Sequence, residues 1–452
     1  MTTSDTTKPT LGFWSTVAIG IGGMVGGGIF AVLGIGAGIA QGAVPIAFLV
    51  AGTIALLTSY SYAKLSIHFP SIGGTVTFIN EAFGFGIFSG GCNLLLLVSY
   101  VIMIAVYAHA FGNYALQFFP RSDHVFWGYV LRSGVVVCLA LLNAWNPRAV
   151  VKSELWVDGI KVFLLVFFVC GGLGSIEFHR LSPASWPTPF EVLAGGMTLF
   201  LCYEGFELIA NASKEVIRPE KTIPRAYYSC ILIVIVLYIL ISMVVVGNLS
   251  LAEIEKNSGW ALAESARPFL GNFGFTLTAV AALFAAGSAI NASLYGSSRI
   301  SFILAKQGQL FGLVHGRAWK RPIGGPIFMT ILSLLAANFL NLASVSTLGS
   351  AGFLLIFAVV NGANLKLHRQ TKSMIYLPIL GMIACLSALV LLLSYTWKSS
   401  PEHSWELIGI LVLAFAFQTL YQKFFGPGRR TSIEQLAKQT ESPAVIGTPI
   451  KN

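Results

Sequence analysis

The chain has 452 residues, 55% of them apolar and only 10% charged, and a formal net charge of +10. Ordinary globular domains carry about 25% charged residues, so this composition excludes a string of soluble domains and indicates a polytopic membrane protein. A nucleic-acid partner is not implied either, because the basic residues are distributed as a membrane topology requires.

Residues 1–10 are short and polar and lack the charged-then-apolar order of a cleaved signal, so the first span is expected to be retained. Apolar runs of about 20 residues, each long enough to cross a bilayer, then recur to the end. Twelve transmembrane helices are predicted, near 13–40, 43–63, 86–118, 126–145, 157–176, 190–210, 226–247, 273–298, 327–341, 345–363, 375–396 and 405–425. The first contains residues 20–30, GIGGMVGGGIF, with five glycines between Gly22 and Gly28. A glycine inside a helix costs about 1 kcal/mol relative to alanine, so this span should break. Backbone groups freed by a break cannot face lipid and must line a cavity or meet a ligand. The second half-helix would then present the amides of Gly26, Gly27 and Gly28, an arrangement that holds a carboxylate. The same glycines would equally serve close helix packing.

The fifth predicted span carries Lys161 near its cytoplasmic end, and the sixth is interrupted at residues 201–207, LCYEGFE. An acidic residue at the bilayer centre costs about 2.5–3.5 kcal/mol on insertion scales, so Glu204 and Glu207 should face protein or water. Breaks in spans one and six occupy matching positions if the first ten spans form two halves of five, an inverted repeat with a midplane site. The transport core is expected at 11–368, its repeats at about 11–180 and 185–368. Two additional helices follow at 373–425, then a flexible cytoplasmic tail at 426–452. The runs on either side of 338–347 nearly merge; fusing them would place Lys366, Arg369 and Lys372 outside, so they are read as separate.

With a cytoplasmic N-terminus, 21 of the 28 Lys and Arg fall inside, six fall outside, and Lys161 lies in the membrane. The acidic residues split evenly, eight and eight, apart from Glu204 and Glu207. That asymmetry predicts a multi-pass protein of the cell membrane with both termini cytoplasmic. The six cysteines all fall within spans without metal-ligand spacing and read as small apolar residues. There is no Gly-Lys-Ser/Thr phosphate-binding motif, no catalytic triad and no metal cluster in the sequence, so neither cofactor nor enzymatic chemistry is expected.

Four segments together resemble the amino acid–polyamine–organocation superfamily of permeases. They are residues 24–30 (MVGGGIF); 62–65 (YAKL) with 69–75 (FPSIGGT) and 81–84 (EAFG); 203–207 (YEGFE) with Glu215 and 218–225 (RPEKTIPR); and 297–300 (SSRI) with 305–308 (AKQG). The resemblance covers residues 11 to about 310. Lys64 stands where the family usually has an acidic residue, and Gln307 and Phe311 replace a common Asp and Pro, which bears on gating at the cytoplasmic face.

The resemblance implies that Gly26, Gly27 and Gly28 bind a substrate carboxylate. It also implies that the substrate ammonium meets backbone carbonyls at Met24, Leu201, Cys202 and Glu204. Leu201 stands where the family often has a bulky aromatic gate, so a larger substrate side chain is expected to fit. Glu207 matches a frequent acidic position that braces the break or senses protons. Glu204 sits where the family is often apolar; it either selects cationic substrates or serves as a structural partner for Lys161. Lys161 resembles a fifth-helix lysine of sodium-independent members, whose ammonium takes the place of sodium, with Ser288, Asn291 and Ser293 in the same region. A buried ammonium that releases and regains a proton suits coupling; the alternative is a lysine that snorkels to the interface.

The function expected is thus secondary transport of amino acids, coupled to protons and independent of sodium, with the bilayer as the other partner. An amino acid exchanger, a polyamine or amine transporter, and a membrane amino acid sensor without turnover remain as alternatives.

Overall fold

The computed structural model describes residues 9–120, 123–145, 147–310, 317–318, 321–322 and 324–441. Most of the expected N-terminal segment and the end of the expected tail lie outside these residues. Where no water can satisfy backbone groups, the helix supplies every hydrogen bond internally, and the described chain is helical from Phe13 to Glu441 apart from its connections. One minor departure from the all-α expectation is a two-residue antiparallel pairing of β1 (Arg317–Ala318) with β2 (Arg321–Pro322).

The first predicted span is two helices, α1 (Phe13–Met24) and α2 (Gly27–Ala40). A short 3-10 turn leads into α3 (Val44–His68), followed by α4 (Thr75–Phe83) and α5 (Ile87–Ala115). Next come α6 (His124–Trp145) and α7 (Pro147–Gly172). The sixth span is α8 (Pro189–Leu199), a 3-10 turn over Phe200–Tyr203, and the short α9 (Leu208–Asn211). The long α10 (Pro219–Asn248) precedes two brief helices, α11 (Leu251–Lys256) and α12 (Ala261–Glu264). The remainder is α13 (Arg267–Lys306), α14 (Gly324–Phe339), α15 (Leu342–Lys366), α16 (His368–Thr371), α17 (Tyr376–Ser399) and α18 (Pro401–Glu441).

Among the described residues, ten helical stretches are long and apolar enough to cross a membrane. Two more apolar helices, α1 and α14, are shorter. The doubtful boundary at 338–347 is a real separation. The Asn341 side chain accepts from the Ser344 amide at 2.8 Å and so caps a new helix there. At the other end, α18 continues as helix to Glu441, past the predicted end of its span.

Burial sorts the helices into a centre and a rim. Helix α5 is buried along most of its length, whereas α6 is mostly not buried. Helix α5 packs against α13, α15 and α2, while α3 packs against α10 and α2 against α8. On the rim, Leu141, Val390 and Leu413 stand exposed, as side chains in contact with lipid tails do. Inside, polar groups pair among themselves. Ser61 donates to Asn361 at 2.6 Å, and Asn361 donates to Thr58 at 3.1 Å, joining α3 to α15. Gln307, one of the departures from the family pattern, accepts from Asn80 at 3.0 Å and ties α4 to the end of α13.

Candidate functional site: two helix breaks beside a cavity

The α1–α2 break falls at Val25 and Gly26. Val25 (φ −79°, ψ 57°) ends α1, and Gly26 (φ −100°, ψ −151°) is the extended cap of α2, with no side chain capping it. The first amides of a helix have no acceptor within it, so α2 begins with free donors and the positive end of its dipole directed at the break. In the second break, Glu204 is extended (φ −63°, ψ 140°) and Gly205 has φ +117°, a conformation that disfavours any side chain. Glu207 closes this turn by accepting from the Gly205 amide at 2.7 Å, and its other oxygen accepts from the Tyr100 hydroxyl at 3.2 Å. The Tyr107 hydroxyl donates to Glu204 at 3.3 Å.

The two breaks touch. A Cβ placed on Gly205 would lie 2.6 Å from the Gly23 carbonyl oxygen and 2.8 Å from its Cα; one on Gly23 would lie 2.5 Å from the Gly205 oxygen. Backbone therefore meets backbone, which only glycine allows on both sides. A single hydroxyl spans the junction: Tyr238 of α10 shares its one proton between the carbonyls of Met24 at 2.7 Å and Cys202 at 3.1 Å. On the far side, Lys161 of α7 is 1% exposed; its Nζ lies 2.6 Å from Asp158 and donates to the Gly22 carbonyl at 3.0 Å.

Beside this junction lies a cavity of about 420 Å³. Its wall includes Ser15, Gly22 and Gly23 from α1, Tyr100 and Tyr107 from α5, Asp158, Glu204, Gly205, and Ser288 and Ser293 from α13, with Leu11 and Glu215 farther along. None of the lining residues is basic. That volume lies within the range of small-molecule sites.

Of the site residues singled out from sequence, Glu204, Ser288 and Ser293 line the cavity. Met24, Gly26, Gly27, Gly28, Leu201 and Cys202 are buried at the two breaks and do come together: a Cβ on Gly28 would lie 3.5 Å from the Cα of Cys202. Three of the four carbonyls expected to hold an ammonium have donors in this conformation, Tyr238 for Met24 and Cys202, and the Glu204 amide for Leu201 at 3.3 Å. Gly27 faces Tyr107 and Ala286 across tight contacts, so close packing accounts for that glycine as well. Lys161 takes Asp158 as its partner and not Glu204, because both lie on α7 three residues apart. Asn291 is buried and accepts from Asn143 of α6. Sequence reasoning missed Asp158, Tyr107 and Tyr238. Asp158 had a signal, its i, i+3 spacing from Lys161; Tyr238 had only a polar tip in an otherwise apolar helix.

A family model described as amino acid permease matches residues 11–432. The chain belongs to the amino acid permease family. The match extends beyond the 11–310 of the motifs and places this permease in the amino acid–polyamine–organocation superfamily. The permease is 32% identical to the inner membrane transport protein YbaT of Escherichia coli, over 90% of this chain and 95% of that protein. It is 28% identical to the methylthioribose transporter of Bacillus subtilis, over 88% of this chain and 89% of that one. It is 26% identical to cationic amino acid transporter 7 of Arabidopsis thaliana, over 89% and 73%. The permease is thus a multi-pass membrane transporter and not an enzyme.

Proposed function

We propose that this permease carries amino acids across a cell membrane by alternating access, driven by protons and independent of sodium. The observation that carries the reading is the meeting of two interrupted apolar helices, backbone to backbone at Gly23 and Gly205, on the wall of a cavity. Non-helical backbone at membrane depth is tolerated only where it is buried in protein or lines a cavity, and paired breaks of this kind form the binding sites of transporters.

In this reading the chain crosses twelve times. The stretch from Gly27 to His68 is 42 residues, about twice one crossing, and turns at Gln41–Ala43. Both termini are cytoplasmic, the first ten spans are a five-plus-five inverted repeat, and α17 and α18 are appended. The α2 amides at Gly26, Gly27 and Gly28 receive the substrate carboxylate, and the carbonyls of Met24, Leu201, Cys202 and Glu204 receive its ammonium once Tyr238 yields. Glu207 braces the second break. Lys161, with Ser288 and Asn291 on α13, is the coupling region. Spans one, two, six and seven (α1–α3 and α8–α10) rock against a scaffold that includes α5 and α13.

The test is uptake of radiolabelled substrate into proteoliposomes under an inward proton gradient without sodium. The panel spans neutral and cationic amino acids, polyamines and methylthioribose. Accumulation of amino acids that collapses with a protonophore is the expected result. Uptake only into amino acid-loaded vesicles would replace symport by exchange, and binding without flux would leave a sensor.

A further inference from the structure

Building on the proton-coupled reading above, we infer that Asp158 is where protons from the cavity meet the Lys161 ion pair, and that the pair clasps the last turn of α1 to α7. Three observations carry this. Asp158 lines the cavity and its side chain is 24% exposed, whereas Lys161 is 1% exposed and reaches Asp158 at 2.6 Å. Protons carried by water in the cavity therefore meet the carboxylate first. The Lys161 ammonium donates to the Gly22 carbonyl at 3.0 Å, one residue before the glycine that touches Gly205. Asp158 itself packs on Gly22, where an added Cβ would lie 3.0 Å from its Cγ.

The step is a protonation without any other bond change. A proton on the Asp158 carboxylate turns the ion pair into a neutral acid beside a buried ammonium. A buried charge stripped of its partner is strongly unfavourable, so the ammonium moves toward the cavity, where water can solvate it; Nζ leaves the Gly22 carbonyl and α1 is freed from α7. Loss of the proton restores the pair and the clasp. The ionisable groups that share the cavity wall with Asp158 are Glu204, Tyr100, Tyr107 and, near Leu11, Glu215; the lining parts of α1 and α13 contribute none. Asp158 acts through Lys161 and is a positioning residue.

Purified permease in proteoliposomes tests this with Asp158→Asn and Asp158→Glu. Accumulation is measured under an inward proton gradient without sodium, and counterflow at equal pH on both sides is measured across a pH series. With one proton per substrate, a gradient of one pH unit sustains about tenfold accumulation in the wild type. Asp158→Asn is expected to equilibrate substrate without accumulating it, and to keep counterflow whose rate no longer changes with pH. Asp158→Glu is expected to recover both. Protonophore-sensitive accumulation by Asp158→Asn at the wild-type level overturns the inference. Loss of accumulation and counterflow alike in both variants also overturns it, leaving Asp158 a purely structural role. A wild type insensitive to protonophore removes the coupling reading itself, and that is seen before any variant is compared.

Discussion

Replacing Gly205 by alanine tests the junction of the two breaks directly. The new methyl group would sit 2.6 Å from the Gly23 oxygen and 2.8 Å from its Cα. Non-bonded carbon contacts settle near 3.5–4.0 Å, so the two backbones would have to separate by about 1 Å. Overpacking of this kind costs about 1–3 kcal/mol. A side chain held at φ +117° adds about 1–3 kcal/mol of backbone strain. The sum, about 2–6 kcal/mol, is a large part of the stability of a typical domain. It also falls on the backbone contact that registers α1 against the second break. Gly287 on α13 is the control, since a Cβ there meets nothing within 4 Å. Thermal unfolding of the purified protein and uptake by proteoliposomes should both fail for Gly205→Ala and survive for Gly287→Ala. Wild-type unfolding and uptake in Gly205→Ala would refute the claim that the breaks meet backbone to backbone.

Lys161→Ala should abolish uptake driven by a proton gradient; a variant that keeps full proton-dependent transport would remove lysine from the coupling mechanism. Tyr238→Phe deletes the hydroxyl that bridges Met24 and Cys202. The buried carbonyls lose their shared donor, and at the cost of an unsatisfied buried acceptor a stability loss of about 1–3 kcal/mol is expected, read as an earlier thermal transition. Asn361→Leu removes the acceptor of the Ser61 hydroxyl between α3 and α15, leaving it only the bond it accepts from Asn364, and should destabilise by about 1–3 kcal/mol without altering substrate preference. An unchanged unfolding transition would show that water replaces the lost partner.

The apolar runs alone determined that this is a membrane protein of many helices, because the bilayer demands length and hydrophobicity from each crossing whatever its neighbours are. The two interruptions were legible for the same reason. Five glycines within residues 22–28, and two glutamates around Gly205, are each too costly in a continuous apolar helix to be there without a use. Tertiary structure decided what the breaks face. Gly23 and Gly205 lie far apart in sequence, and their contact follows from how α1 and the α8–α9 segment cross. The partner of Lys161 turned on packing too. Spacing made Asp158 available on the same face of α7, but Glu204 was also a candidate until the fold placed it beside Tyr107. Tyr238 shows the limit most clearly: a hydroxyl on one helix finds carbonyls on two others, and only the folded chain brings a donor and acceptors so distant in sequence within reach.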